Sequence, residues 1–408
     1  MLSMGVGDSY TIKVNSLTLG IDNMAEKIMK YLEMETGGKS YKAHKYSLDN
    51  AEIPSIDYGE YNKVWEKYAE TEPPKNYKSL KEKCEELKHY DINLLTYFLD
   101  GSRRVYKVDD IAYNKGKNRS GIYPVIAGQI AVGCLKRINK RMKKCIFNCE
   151  WDLALPSIAD ADGKPGFFEA LNEKIKRNTN ITRLTNSDMQ LANIFSYSTS
   201  YANKEKYEGK GIIKIQDRMI ELEKQTVSDL VKKKLLNQRN YLVKDGSLEY
   251  RKSNCSNKNE ELIFKNNYNW VIGVSKNFNP EICKDKKGKS NPGFIAELPL
   301  YSRTPVAEYS YDNTKFAVWY VRIRDKEKTL SPFDGVLKVE KILVNDDELE
   351  KGIETEYVDS LSASLINERT PTCYGSDPRW ANHIYPVYLT EQYVKSKFIS
   401  TESFLHLF

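Results

Sequence analysis

Two apolar runs in this chain end in the same three residues. Leu94-Leu95-Thr96-Tyr97-Phe98-Leu99 stops at Asp100-Gly101-Ser102, and Tyr241-Leu242-Val243-Lys244 stops at Asp245-Gly246-Ser247. A third run, in NNYNWVIGVSKNF, stops at Ser275-Lys276. Short apolar runs bounded by turn residues read as strands. RVYKVDDIAY, after the first Asp-Gly, reads as the second strand of a hairpin. AVWYVRIRD (317–325) and GVLKVEKILV (335–344) alternate as strands do.

Elsewhere the period is helical. NMAEKIMKYLEME and SLKEKCEELKHY suggest a charged, helical N-terminal extension over 1–90, ahead of a main domain over 91–408. Residues 167–238 read as helical with a polar break at 197–210, and GIIKIQDRMIELEKQTVSDLVKKKLLNQ is the strongest helix of the chain. IYPVIAGQIAVGCLKR, 122–137, fits a buried strand followed by a helix, or one buried helix. The basic segment KRINKRMKK, 136–144, then falls at a helix end. Residues 146–166 read as a strand and a loop, and 251–261 as loop. YPVYLTEQYVKSKF reads as a helix begun after a proline.

Composition sets the frame. At 408 residues and 40% hydrophobic the chain can bury a sizeable core. The net charge of +7 arises from 63 basic and 56 acidic residues, so a polyanion-binding face has to be local. The seven cysteines are scattered, with no Cys-x-x-Cys, which points to free thiols in a reducing, cytoplasmic setting. No apolar run is long enough to span a membrane. Asp160 and Asp162 in DADGK lack the remaining spacing of a calcium loop and read as a polar turn.

The repeated Asp-Gly-Ser carries the chemistry. In an α/β sheet, carboxylates at converging strand ends can share a hard divalent cation. Two-metal phosphoryl transfer needs such a cluster, and glycine beside each aspartate leaves room for a phosphate. A strand-end lysine, Lys276, can hold a non-bridging oxygen. The long helix offers a further carboxylate. Glu223 borders its apolar face and is the first choice, with Glu221 second. Ser102 and Arg103, with Lys136, Arg137, Lys140 and Arg141 of the basic segment, are the candidate nucleic-acid contacts.

Taken in order, strand-DGS, RMIELE, LVKDGSLEY, WVIGVSK and YPVYLTEQYVKS resemble the NurA family of nucleases over residues 90–398. The resemblance implies an α/β, RNase H-like mixed sheet flanked by helices, with an insertion around 140–210. It implies DNA cleavage with manganese or magnesium, a homodimer, and a HerA-like hexameric ATPase translocase as partner, in DNA end processing or antiphage defence. Asp100, Asp245 and Glu223 would hold the metal, Lys276 would match the family's strand-end lysine, and Ser102 and Ser247 would be supporting hydrogen-bonders. The family's C-terminal histidine falls here on Gln392, preceded by Glu391, while His383 lies upstream in WANHIYP. Three other readings compete: an inactive adaptor of the same fold, a PIWI-type RNase H-like nuclease, and two unrelated Asp-Gly turns.

Overall fold

The computed structural model describes residues 28–41, 44–49, 64–113, 121–160, 163–177, 189–200, 207–248, 250–285, 287–374 and 380–408. Asp162 and part of the 197–210 break lie outside them. Among the described residues, no helix is long and apolar enough to cross a membrane.

Among the described residues, fourteen strands form one mixed sheet. Its centre is a meander of three long strands, β5 (Leu95–Tyr113), β6 (Gly121–Ile138) and β7 (Arg141–Pro156), paired antiparallel. On the far side of β5, β9 (Tyr241–Asp245) runs parallel to it, and β10 (Val271–Ser275) runs parallel to β9. The order β7-β6-β5-β9-β10, with only β6 reversed, is the RNase H-like arrangement. The long helix Tyr207–Lys232 leads into β9, and Lys258–Tyr268 connects β9 to β10. Beyond β10 the sheet continues antiparallel through β14 (Val336–Ile342), β13 (Thr314–Arg322) and β12 (Ala307–Tyr311).

The long helix has the buried spacing its sequence suggests. Ile212, Ile215, Met219, Leu222, Glu223, Thr226, Val227 and Leu230 face the sheet. Tyr97, Leu99, Val105 and Val132 meet that stripe from the strands. On the opposite face Leu95, Phe98, Val243 and Ile272 pack with Val358, Leu361, Ile384 and Val387. Burial on both faces is why the central strands read as continuous apolar runs.

Several elements differ from their sequence reading. Asp100-Gly101-Ser102 is not a turn: β5 runs straight through it, so RVYKVDDIAY continues the same strand. A 19-residue strand is far longer than the usual strand, and Asp-Gly gives no local warning of it. Residues 122–137 form neither a helix nor a strand–helix pair but one strand, β6. Gly128 sits against Ile215 of the long helix and Gly133 against Val394 of the helix Tyr385–Lys395, and small residues on both faces match neither period. The basic segment is a hairpin turn, with Asn139 and Lys140 both at positive φ (49° and 61°) as a type I′ turn requires. Residues 167–238 are not all helix. Helix Phe167–Lys176 leads to β8 (Leu191–Tyr197), which adds parallel to β7. Residues 258–268, partly read as loop, form a helix capped by Asn257.

The N-terminal region is neither wholly helical nor a separate extension. It has helices at 28–36 and Lys81–His89, but also β1 (Lys39–Ser40), β2 (Tyr46–Ser47), β3 (Val64–Tyr68) and β4 (Lys78–Ser79). β1 and β2 pair with β5, β3 with β12, and β4 with β11 (Ser302–Arg303). Pairings this short depend on a strand distant in sequence, so local pattern cannot reveal them. A buried ion cluster fixes the junction. Arg303 binds Glu70 Oε2 at 2.8 Å and Asp359 Oδ1 at 2.6 Å, and all three side chains are essentially inaccessible.

Replacing the arginine tests that junction. Arg303→Met leaves the buried Glu70 carboxylate without a cation and Asp359 with Lys78 alone, so it is expected to destabilise the fold by about 3–5 kcal/mol. Urea unfolding should show a large fall in midpoint, while Lys351→Ala, in an exposed pair with Asp347, leaves it unchanged.

Candidate metal centre

Strand register builds the site. Leu99 of β5 partners Lys244 of β9, so Asp100 and Asp245, one residue further along each parallel strand, come side by side. Val274 of β10 partners Asp245, which places Lys276 just beyond the strand end beside it. Asp100 itself partners Gly133 of β6. A Cβ on Gly133 would come within 2.8 Å of Val394 Cγ2, so the helix Tyr385–Lys395 lies close against the sheet on the face that Asp100 presents.

That helix brings the third acid. Single oxygens of Asp100, Asp245 and Glu391 lie within 4.8 Å of one another. Lys276 Nζ stands 2.9 Å from Asp245 Oδ2 and 3.1 Å from Glu391 Oε2. Lys395, one turn on, donates to Glu391 Oε1 at 2.6 Å. Lys276 is therefore the buried cation set among three carboxylates, and Asn382 accepts none of that charge but holds the lysine's carbonyl at 2.7 Å.

The charges respond to this crowding. Burial, followed by the negative charge of Asp245, pushes the Asp100 carboxyl well above its usual range. Burial also works against charge on Glu391, yet Lys276 and Lys395 hold its carboxyl down to about 2. Burial likewise opposes the Lys276 ammonium, but Asp245 and Glu391 more than offset it and raise its pKa. An all-oxygen donor set, one member of which is reluctant to ionise alone, fits a hard divalent cation such as Mg2+ or Mn2+.

Glu223 is elsewhere. Residues 100 and 101 point to opposite faces of the sheet. Gly101 faces the long helix, where a Cβ would lie 2.6 Å from Glu223 Oε1. The missing side chain lets the Glu223 carboxylate rest against the strand behind Asp100. There it pairs with Lys244 Nζ at 3.2 Å, both side chains buried. Burial raises its pKa and Lys244 pulls the other way. Glu223 lies outside the triad because its helix covers the other face; its charge still reaches Asp100 and adds to the upward push. Glu221, the second choice, is exposed and pairs with Arg218 at 3.2 Å.

Ser247 is hydrogen-bonded just past Asp245. Its Oγ lies 3.1 Å from Ser275 Oγ and accepts from Lys338 Nζ at 3.3 Å, while Leu248 N donates to Glu340 Oε2 at 2.9 Å. With Lys338 bound to Glu340 at 2.9 Å, this buried set holds the chain just after Asp245. Ser102, half-buried, lies on the Asp100 face two residues along.

The basic candidates are not at the triad. Arg103 faces the long helix, bonded to Gln216. Lys136 lies over the Tyr97 ring and Arg137 is clamped on Glu368. Lys140 and Arg141 are exposed at the hairpin turn. The turn begins six residues past Gly133, the partner of Asp100, or about 20 Å along the strand.

Sequence reasoning did not pick Glu391 as a candidate ligand, although its signal was present. Pro386, Val387, Thr390, Glu391 and Val394 form one buried stripe, and an acid in an apolar stripe is the mark that singled out Glu223. His383 is buried against Tyr388, and Gln392 is exposed; neither belongs to the triad.

No protein-family model matches the chain, and no curated protein does. Among solved structures, the chain is similar to the NurA nuclease from Sulfolobus solfataricus at 11% identity. The match covers 98% of this chain and 95% of that one, with a TM-score of 0.35. A likeness this distant decides nothing about chemistry, which rests on the side chains above.

The Asp100 carboxyl sets a pH dependence. Its pKa is above 3.8 in the folded chain, so the folded state holds that proton more tightly than the unfolded one. The resulting stability is present below the unfolded value and lost as pH rises through the folded one. Asp100→Asn is uncharged throughout. Without divalent cations, its melting temperature should therefore gain on that of the wild type as pH rises from 4 towards 8. Added Mn2+ should raise the wild-type melting temperature at pH 7 and leave Asp100→Asn nearly unmoved; equal metal shifts in both would remove Asp100 from the ligand set.

Proposed function

We propose that the protein is a divalent-metal-dependent nuclease that hydrolyses phosphodiester bonds in DNA. The observation that carries this reading is the convergence of Asp100, Asp245 and Glu391 beside Lys276, on the central strands of an RNase H-like sheet. Asp100, Asp245 and Glu391 would hold Mn2+ or Mg2+. A cation bound there would supply Lewis acidity to a phosphoryl oxygen and a bound water more easily ionised than bulk water.

The remaining roles belong to the chain. Glu391, kept ionised by two lysines, is a negative ligand at any working pH. Lys276 reaches both Asp245 and Glu391, so a shift away from either carboxylate presents its ammonium to a non-bridging phosphate oxygen as charge develops. The Ser247–Ser275–Lys338–Glu340 set fixes the backbone behind Asp245 and keeps its carboxylate in place. Lys140 and Arg141, about 20 Å along the hairpin, are suited to a DNA backbone several base pairs from the scissile bond.

The sequence motifs extend the proposal. Their resemblance to the NurA family supports DNA as substrate, a homodimer, and a HerA-like translocase as partner in end processing or defence. An inactive adaptor of the same fold has one observation in its favour: Lys276 and Lys395 already compensate part of the acidic charge.

Cleavage decides between them. Labelled single- and double-stranded DNA would be incubated with Mn2+, Mg2+ or EDTA, with and without a HerA-like translocase. Metal-dependent cutting is expected, reduced at least about a hundredfold in Asp245→Asn. No cutting under any condition, by protein that still binds the translocase, would establish the adaptor.

A further inference from the structure

β6 and β7 fall out of step at one point, and the irregularity pairs two cysteines. Cys134 partners Ile146 while Leu135 partners Lys144, so Cys145 is the extra residue of a β-bulge. Cys145 and Ile146 thus both stand opposite Cys134. The Cys145 side chain packs on the same core as Cys134, whose Sγ donates to Leu135 O at 3.7 Å. Cys134 is fully buried, whereas Cys145 is half-exposed. Lys136 and Lys233 lie near enough to Cys145 to act on its charge.

We propose that Cys134 and Cys145 form a peroxide-responsive thiol pair, in which Cys145 is the reactive thiol and Cys134 resolves it to a disulfide. The Cys145 thiolate attacks one peroxide oxygen; an S–O bond forms, the O–O bond breaks, and the departing hydroxide takes a proton to leave as water. Cys134 sulfur then attacks the Cys145 sulfenic acid. The S–S bond forms, the S–O bond breaks, and the Cys134 proton leaves with the hydroxide as a second water. Two thiols lose two electrons in total and the peroxide gains them.

The thiol energetics agree with that order. The Cys134 thiol first, against the opposing effect of burial, and then the two lysines lower Cys145 to about 7. Burial pushes Cys134 well above its ordinary value, which suits a resolving thiol that attacks only once its partner is oxidised. Burial likewise raises Cys84 to about 11 and Cys283 to about 12, and also raises Cys255 and Cys373. The disulfide would close a loop around the whole basic turn, Lys136 to Lys144, and clip that hairpin at its base.

Two measurements on the full chain test this. Timed alkylation at pH 7, read by peptide mass spectrometry, should modify Cys145 at least about tenfold faster than Cys255, which is also partly exposed. After stoichiometric hydrogen peroxide, a crosslinked peptide joining Cys134 to Cys145 should appear, and hydrogen exchange over 136–144 should slow. In Cys134→Ser the same treatment should leave Cys145 as a dimedone-reactive sulfenic acid, and in Cys145→Ser neither product should form. Alkylation of Cys145 no faster than Cys255, or peroxide products spread across other cysteines without the 134–145 peptide, would overturn the proposal. Both readouts are made on wild-type protein, so a variant that fails to fold does not block the test.

Discussion

Placing Asp100 beside Asp245 is the constraint around which the site is built. Parallel pairing of β5 with β9 sets the two carboxylates next to each other at low exposure, where like charges repel and neither is well solvated. The surrounding elements answer that repulsion. Lys276 extends from the end of β10 into the cluster, and the helix Tyr385–Lys395 packs tightly enough over Gly133 to add Glu391 with its own lysine. A third acid in an already acidic site is unfavourable for stability alone. It is what a site built for a hard cation requires.

The sheet keeps two buried charge systems apart. Asp100, Asp245, Lys276 and Glu391 share one face. On the other, Glu223 pairs with Lys244, while Lys338 and Glu340 support Ser247. β9 is caught between them: Lys244 and Asp245 are neighbours in sequence and belong to opposite faces. Gly101 makes the arrangement possible, since any side chain there would displace the Glu223 carboxylate from the strand. The second system thus acts on the first through backbone position and long-range charge.

The long central strands tie the site to distant surfaces. β6 pairs with β5 at Asp100 and with β7 at the basic turn and the bulged cysteine pair, so one strand links the candidate metal ligand to both. Helical connections would have decoupled these features. A rigid hairpin holds them in fixed register, and a covalent clip at its base would be felt along it.

Much of the central sheet was legible in the sequence, because β9, β10, β13 and β14 are short apolar runs with clear ends, and the long helix has a clean 3.6-residue period. Asp100, Asp245 and Lys276 were legible for the same reason: a polar residue closing an apolar run is a local signal. The path of β5 through Asp100-Gly101-Ser102 was not, since Asp-Gly looks the same whether the chain turns or continues; pairing with β6 and β9 decided it. β6 was hidden by its Ala and Gly positions, and β1 to β4 by their brevity. The choice between Glu223 and Glu391 also lay beyond pattern. Both sit on buried helical stripes, and a stripe shows that a side chain faces the sheet without showing which side of it. The side is set when each helix crosses over its strands, and that crossing alone put Glu391 with the aspartates and left Glu223 behind them with Lys244.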